Sequence, residues 1–184
     1  MPEPRRFVLT GAPGAGKTTL LEALGRRGHV TVREAATDVI AERQARGCAE
    51  PWDEPDFIDA VTALQARRQV AAPAAPVHLY DRSPLCTLAL AHYQGRPIGA
   101  ALTAEVDRIT RQRTYERTVF LVGPLGFIHH TAARRISYAE SLAFARVHEQ
   151  VYEAHGHHLV HVPVGTVAQR VALIESHVSR TRGR

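Results

Sequence analysis

Lysine is almost missing from this chain. Of 184 residues, 23 are lysine or arginine, yet Lys17 is the sole lysine and every other strong base is arginine. Cysteine is scarce too. Cys48 and Cys86 are too few and too unpatterned for a disulfide framework or a zinc site, so a reducing, cytoplasmic setting is expected. No stretch approaches the ~18 apolar residues of a membrane span, and the opening "MPEPRRF" lacks the apolar run of a secretory signal. Internal repeats are absent. The formal charge is +5, but there is no long basic run and no interleaving of bases with aromatics. The arginines fall in scattered pairs (Arg5-Arg6, Arg26-Arg27, Arg67-Arg68, Arg134-Arg135), which speaks against a nucleic-acid stripe. Six of the 11 histidines cluster as "HH" and "HGHHLVH", with no cysteine or acid spaced to complete a metal site. What remains is 45% hydrophobic and 22% charged, an ordinary globular balance. The length suits one domain over residues 1–184 with a real core. A homodimer is left open.

Five short apolar or alternating runs read as strands: "RRFVLTG", "HVTVRE" ending near Glu34, "VHLYDRS" ending at Asp81, "TVFLVGP" and "HLVHVPV". Helical patterns lie between them. One runs from about Lys17 to Arg27, with Leu20, Leu21 and Leu24 on one face and Gly28 as its stop. Others are "AATDVIAERQARG", a helix from Asp56 to about Ala71, "PLCTLALAHY" with Pro84 near its start, "ALTAEVDRITRQR", about Tyr138 to His155, and about Val167 to Val178. "CAEPWDEPD" reads as a loop, and "LGFIHHTAARRIS" as a polar segment of a lid's length. Strands alternating with helices predict an α/β fold: a three-layer sandwich with a core of about five parallel strands and helices on both faces. Ligands of such sheets bind at the carboxyl ends of the strands.

Lysine appears once, and its place is informative. "GAPGAGKT" fits G-x-x-x-x-G-K-[ST], the phosphate loop, over Gly11, Ala12, Pro13, Gly14, Ala15, Gly16, Lys17 and Thr18, with Thr19 following. Glycines let backbone N–H groups turn toward an anion without a Cβ in the way, and the helix that follows points its positive end at it. A compact ammonium fits along a phosphate edge where a planar guanidinium is too broad. Thr18 can offer an oxygen to Mg²⁺. ATP and Mg²⁺ are therefore the expected cofactors.

Other candidates sit at strand ends. Asp81 can hold Mg²⁺ or take a proton from an attacking hydroxyl; alternatively it caps the next helix, a role Ser83 can fill instead. Arg82 can clamp an acceptor or a phosphate, or be a surface charge. Glu34 can bind an acceptor, or be an exposed strand-end acid. Arg68 continues the apolar stripe of Phe57, Val61 and Leu64, so it points inward and needs an anionic partner, either a structural acid or a ligand. Arg134 and Arg135 can stabilise a transferring phosphoryl group from a lid, or be solvated charges.

The chain resembles the small P-loop ATPases labelled "AAA domain", whose enzymatic relatives are similar to the kinase domain that phosphorylates nicotinamide riboside. The matching parts are "FVLTGAPGAGKTTLLEAL", "VREAATDVI", the "PW" of Pro51-Trp52, "LQARRQ", "YDRSPLCTLAL" and "TAARRISYAESLAFARVHEQVYEAHGHHLVHVP". The resemblance implies five parallel strands, ATP and Mg²⁺ at the phosphate loop, and an acceptor pocket under an arginine-bearing lid. It implies that Glu34 and Asp81 face the acceptor with Arg82 near it. It also implies that Arg134 or Arg135 reaches the phosphates, and that "PVGT", with Val164 and Gly165, flanks the adenine. Three positions depart from the pattern: Thr37 replaces an arginine, Thr131 an acid before the lid arginines, and Ser83 the glycine of "DRG".

Three functions compete. The first is an ATP-Mg-dependent kinase of a small-molecule acceptor, with Lys17, Asp81, Arg134 and Arg135 as its catalytic set. The second is a nucleotide-dependent switch acting through a protein partner. The third, a nucleic-acid-linked ATPase, rests on the basic pI alone. A guanine-reading N/T-K-x-D element needs a second lysine, which excludes a conventional GTPase. A carboxylate at a strand end beside an arginine-bearing lid serves transfer to an acceptor, so the kinase leads.

Overall fold

A computed structural model describes residues 3–125 and 137–180. In chain order the elements are β1 (Arg5–Thr10), α1 (Lys17–Arg26), β2 (Val30–Val32), α2 (Ala35–Ala45), a 3₁₀ turn (Pro51–Asp53), α3 (Phe57–Ala71), β3 (Val77–Asp81), α4 (Pro84–Tyr93), α5 (Ala100–Arg111), β4 (Thr118–Val122), α6 (Tyr138–Ala154), β5 (His158–Val162) and α7 (Val167–Arg180). The five strands form one sheet in the order β2-β3-β1-β4-β5. Every pairing is parallel, with Leu9 opposite Asp81 on one side and Phe120 on the other. The expected α/β sandwich is therefore the fold that forms.

Alternation along the strands builds two cores, one on each face. Phe7 and Leu9 of β1, Leu79 of β3 and Phe120 and Val122 of β4 turn toward Leu20, Leu24, Val171 and Ile174 of α1 and α7. Val8, Tyr80 and Val119 turn the other way, against α2 to α6. Because both faces are covered, the strands read as continuous apolar runs, which is why β4 is legible in "TVFLV". Each buried apolar side chain adds roughly 1.5–3 kcal/mol over leaving it in water.

Three boundaries differ from expectation. β2 ends at Val32, so Glu34 lies beyond the strand and begins α2. The stretch expected as a plain loop carries the 3₁₀ turn, nucleated by Pro51 at its first position. α7 runs on to Arg180. No helix among the described residues is long and apolar enough to cross a membrane.

Parallel strands put all their carboxyl ends on one edge. β1 is the central strand and leads to β2 on one side, whereas β3 beside it leads across to β4 on the other, so the loop after β1 lies at the switch point. The segments after β2 and β3 flank it.

Candidate nucleotide and acceptor site

The loop after β1 is shaped as a cradle. Gly14 and Gly16 take left-handed φ values of 83° and 86°, which turn the backbone inward. Gly16 caps α1 with no side-chain hydrogen bond, leaving the first helical N–H groups to a ligand. Lys17 is buried, and its ammonium folds back on the loop, donating to the carbonyls of Ala12 at 3.1 Å and Gly11 at 3.4 Å. Burial, helped by the positive Arg82, lowers its pKa to about 8.

Asp81 ends β3 and is 4% exposed. One carboxylate oxygen accepts from the Thr18 hydroxyl at 3.1 Å. The other, Oδ1, is buried with no hydrogen-bond partner among the described residues. Burial raises its pKa against the pull of Lys17. An orphaned carboxylate oxygen beside a threonine hydroxyl is an all-oxygen donor set, which suits Mg²⁺ held by few protein ligands and completed by phosphates and water. Ser83, not Asp81, caps α4: its hydroxyl accepts from the Leu85 amide at 3.3 Å.

Arg82 follows in a left-handed conformation, φ 70°, anchored by its amide to the Leu9 carbonyl at 3.1 Å. Its Nε donates to Glu34 Oε1 at 2.6 Å, and its Nη1 to His148 Nε2 at 2.8 Å. The second Glu34 oxygen accepts from Thr37 at 2.7 Å. Glu34 is thus held from both sides. Burial pushes its pKa up, but Arg82 and Lys17 outweigh that and the pKa is lowered. The guanidinium carbon of Arg82 lies 5.9 Å from the Phe144 ring centre.

These groups open on a single cavity of about 730 Å³. Pro13, Gly14, Gly16, Lys17, Thr18 and Thr19 line it together with Glu34, Asp81 and Arg82. The cavity also reaches Trp52, Phe57, Gln65, Thr87, Tyr93 and Phe144, contributed by the 3₁₀ turn, α3, α4 and α6.

The remaining predicted site residues lie elsewhere. Arg68 is absent from this lining. Its guanidinium donates to the carbonyls of Arg33 and Glu34, at 2.9 and 2.8 Å, and pairs with Asp38. Of the two partners open to this arginine, a structural acid or a ligand, the one it meets here is the acid Asp38. Val164 and Gly165 sit exposed on the turn between β5 and α7, outside the cavity. Arg134 and Arg135 lie outside the described residues.

Sequence reasoning missed two groups. The apolar half of the cavity is one. The other is Arg170 on α7, buried beneath the phosphate loop and donating to Ala15 O at 3.1 Å and Gly123 O at 3.0 Å. It satisfies loop carbonyls that helix and strand cannot reach.

Residues 6–170 match the model of a family described as "AAA domain". No curated protein matches the chain. Among solved structures it is similar to thymidylate kinase from Ehrlichia chaffeensis, over 97% of this chain and 100% of that one, with TM-score 0.65 and 13% identity. It is also similar to thymidylate kinase from Candida albicans (97% and 92% covered, TM-score 0.58, 9% identity). A third is deoxyadenosine kinase from M. mycoides, with bound dATP (95% and 99% covered, TM-score 0.51, 13% identity). At these identities the likeness is one of fold.

Proposed function

Because the chain belongs to the AAA domain family, whose model spans residues 6–170, we propose that it is an ATP-Mg²⁺-dependent kinase of a small-molecule alcohol, acting as one unit over residues 1–184. The observation that carries this reading is the shared cavity. The phosphate loop and an apolar chamber walled by α3 and α4 open into the same space, and a nucleotide switch has no need of the second half. The fold shared with thymidylate and deoxyadenosine kinases supports the same reading.

In this reading backbone N–H groups of the phosphate loop and the N-terminus of α1 hold the β- and γ-phosphates. Lys17 turns from the Ala12 carbonyl to the phosphates when nucleotide enters, and there neutralises charge that develops on transfer. Thr18 and Asp81 would supply the protein oxygens for Mg²⁺, which when bound would offset the charge of the phosphates. Asp81 also accepts the proton of the acceptor hydroxyl, through a carboxylate oxygen that the metal leaves free. Arg82, braced by Glu34 and His148, orients the acceptor oxygen.

The test is ADP release from ATP-Mg²⁺ with and without a panel of alcohols, in the wild type, Asp81→Asn and Lys17→Ala. One acceptor should raise turnover well above background, with Asp81→Asn removing that increment and Lys17→Ala removing all turnover. Slow release indifferent to every acceptor, with nucleotide still bound, would move the reading to a switch.

A further inference from the structure

We propose that the apolar half of the cavity takes an uncharged nucleoside-class alcohol, a flat heteroaromatic ring on a hydroxyl-bearing body, and excludes the corresponding monophosphate. This deepens the kinase reading and rests on it.

Three observations converge. The first is shape and surface. Phe57 and Val61 stand one turn apart on α3, Leu90 and Tyr93 nearly one turn apart on α4, and Trp52 and Phe144 complete the lining. Tyr93 and Phe144 pack with ring centres 4.9 Å apart. Such walls favour a planar ring, which stacks and sheds water at little entropic cost.

The second is a single built-in polar contact. Gln65 is buried on the same stripe as Phe57 and Val61, and its amide oxygen is held by the buried Thr87 hydroxyl at 2.8 Å. Its amide nitrogen has no hydrogen bond among the described residues. A fixed amide edge in an apolar wall selects ligands that carry a complementary ring nitrogen or carbonyl, because any other occupant strands it.

The third is charge. Among the described residues the cations lining the cavity are Lys17 and Arg82, and the anions are Glu34, Glu50 and Asp81. Lys17 belongs to the phosphate loop. The charge of Arg82 is balanced by Glu34, with only Nη2 left unbonded among the described residues, a donor suited to a neutral hydroxyl. Arg68 on α3 and Arg43 on α2 are paired with Asp38 and Asp56. A monophosphate would bring two further negative charges to an end where the described residues offer no spare positive one.

The chemistry balances without a further reactant. The acceptor hydroxyl oxygen bonds to the γ-phosphorus and the bond from that phosphorus to its bridging oxygen breaks. ADP leaves, and the hydroxyl proton passes to Asp81.

Trp52 is the chain's one tryptophan, so its emission reports the pocket directly. The full chain, saturated with Mg²⁺ and a non-hydrolysable ATP analogue, would be titrated with nucleosides, with their 5′-monophosphates, and with ribose, glycerol and amino alcohols. Binding would be confirmed by calorimetry. At least one nucleoside should bind saturably, about tenfold or more tighter than its monophosphate and than the non-aromatic alcohols, and Gln65→Leu should weaken it about a hundredfold. Should that variant not fold, Thr87→Val, which frees the amide, should weaken binding about tenfold. Monophosphates binding as well as nucleosides would overturn the proposal, as would non-aromatic alcohols binding as well or no nucleoside binding at all. Product mass after incubation with ATP separates the two readings. A nucleoside that binds without being phosphorylated removes the kinase and leaves the pocket assignment. A different alcohol that is phosphorylated keeps the kinase and removes the assignment.

Discussion

Arg82 and His148 meet head-on, Nη1 to Nε2 at 2.8 Å, and the far side of the ring fixes who donates. His148 Nδ1 lies 2.9 Å from the Phe144 carbonyl, which can only accept. Nδ1 therefore carries the proton, and Nε2 offers its lone pair to the guanidinium. A fully buried histidine on α6 thereby braces a residue of the β3–α4 turn, and β2's extension holds the same guanidinium through Glu34. Replacing His148 by leucine strands a buried N–H of a charged group and should lower stability by about 2–3 kcal/mol. His148→Gln keeps an acceptor on a similar stem and should recover most of that loss. Urea denaturation of the three proteins decides the point, and equal losses in both variants would mean that packing, not the hydrogen bond, explains His148.

The same pair sets a pH dependence. Burial, reinforced by the positive Arg82, holds the His148 pKa well below 6.5. A base whose folded pKa is depressed binds its proton more readily in the unfolded chain, so stability rises with pH up to the unfolded value and falls below it. Between 6.5 and its folded pKa, His148 should remove about 1.4 kcal/mol per pH unit as pH drops. His78 and His157 are shifted the same way, chiefly by burial, so they contribute too. The difference in slope between wild type and His148→Gln isolates the one ring. Parallel melting-point curves for the two proteins across this range would contradict the assignment.

Lys17 gives a second titration with the opposite sign. Burial and the nearby Arg82 lower its pKa to about 8, and phosphates drawn against it must raise it. Below 8 both states hold the proton and affinity is full. Above 8 binding must take up a proton, so the Kd for ATP should rise about tenfold per pH unit until the bound pKa is passed. Calorimetry in buffers of different ionisation enthalpy would detect the proton uptake. An affinity flat from neutral to strongly alkaline pH would mean that Lys17 does not contact the nucleotide.

The phosphate loop and the sandwich were legible because each is written in contiguous residues: eight in a row for the loop, and apolar runs such as "TVFLV" for the strands. The apolar half of the cavity was not. Phe57 and Val61 were visible only as a helix stripe, and a stripe facing a cavity has the same period as one facing the core. Gln65, Thr87 and Phe144 become neighbours only when α3, α4 and α6 pack. Arg68 shows the limit from the other side. Its inward direction was readable from its place in the stripe, while the identity of its partner depended on Asp38, 30 residues away. His148 carried no local signal, because its role needs the left-handed turn at Arg82.

Gly11 illustrates a motif residue with two constraints. Its φ is 126°, and a Cβ there would come within 2.5 Å of the Val122 carbonyl oxygen and 3.2 Å of the Val122 nitrogen, both backbone atoms of β4. Gly28, at the end of α1, also has a positive φ, 91°, but a Cβ there would meet nothing within 4 Å. Gly28→Ala therefore bears backbone strain alone, about 1–2 kcal/mol. Gly11→Ala adds a collision with a central strand that cannot move without parting β1 from β4, and should exceed about 3 kcal/mol. Chemical denaturation of both variants without nucleotide tests this. If Gly11→Ala is no less stable than Gly28→Ala yet fails to bind ATP, the glycine is needed for the phosphate alone. If it is destabilised as expected before any ligand is added, strand packing also demands a glycine at the first position of the loop.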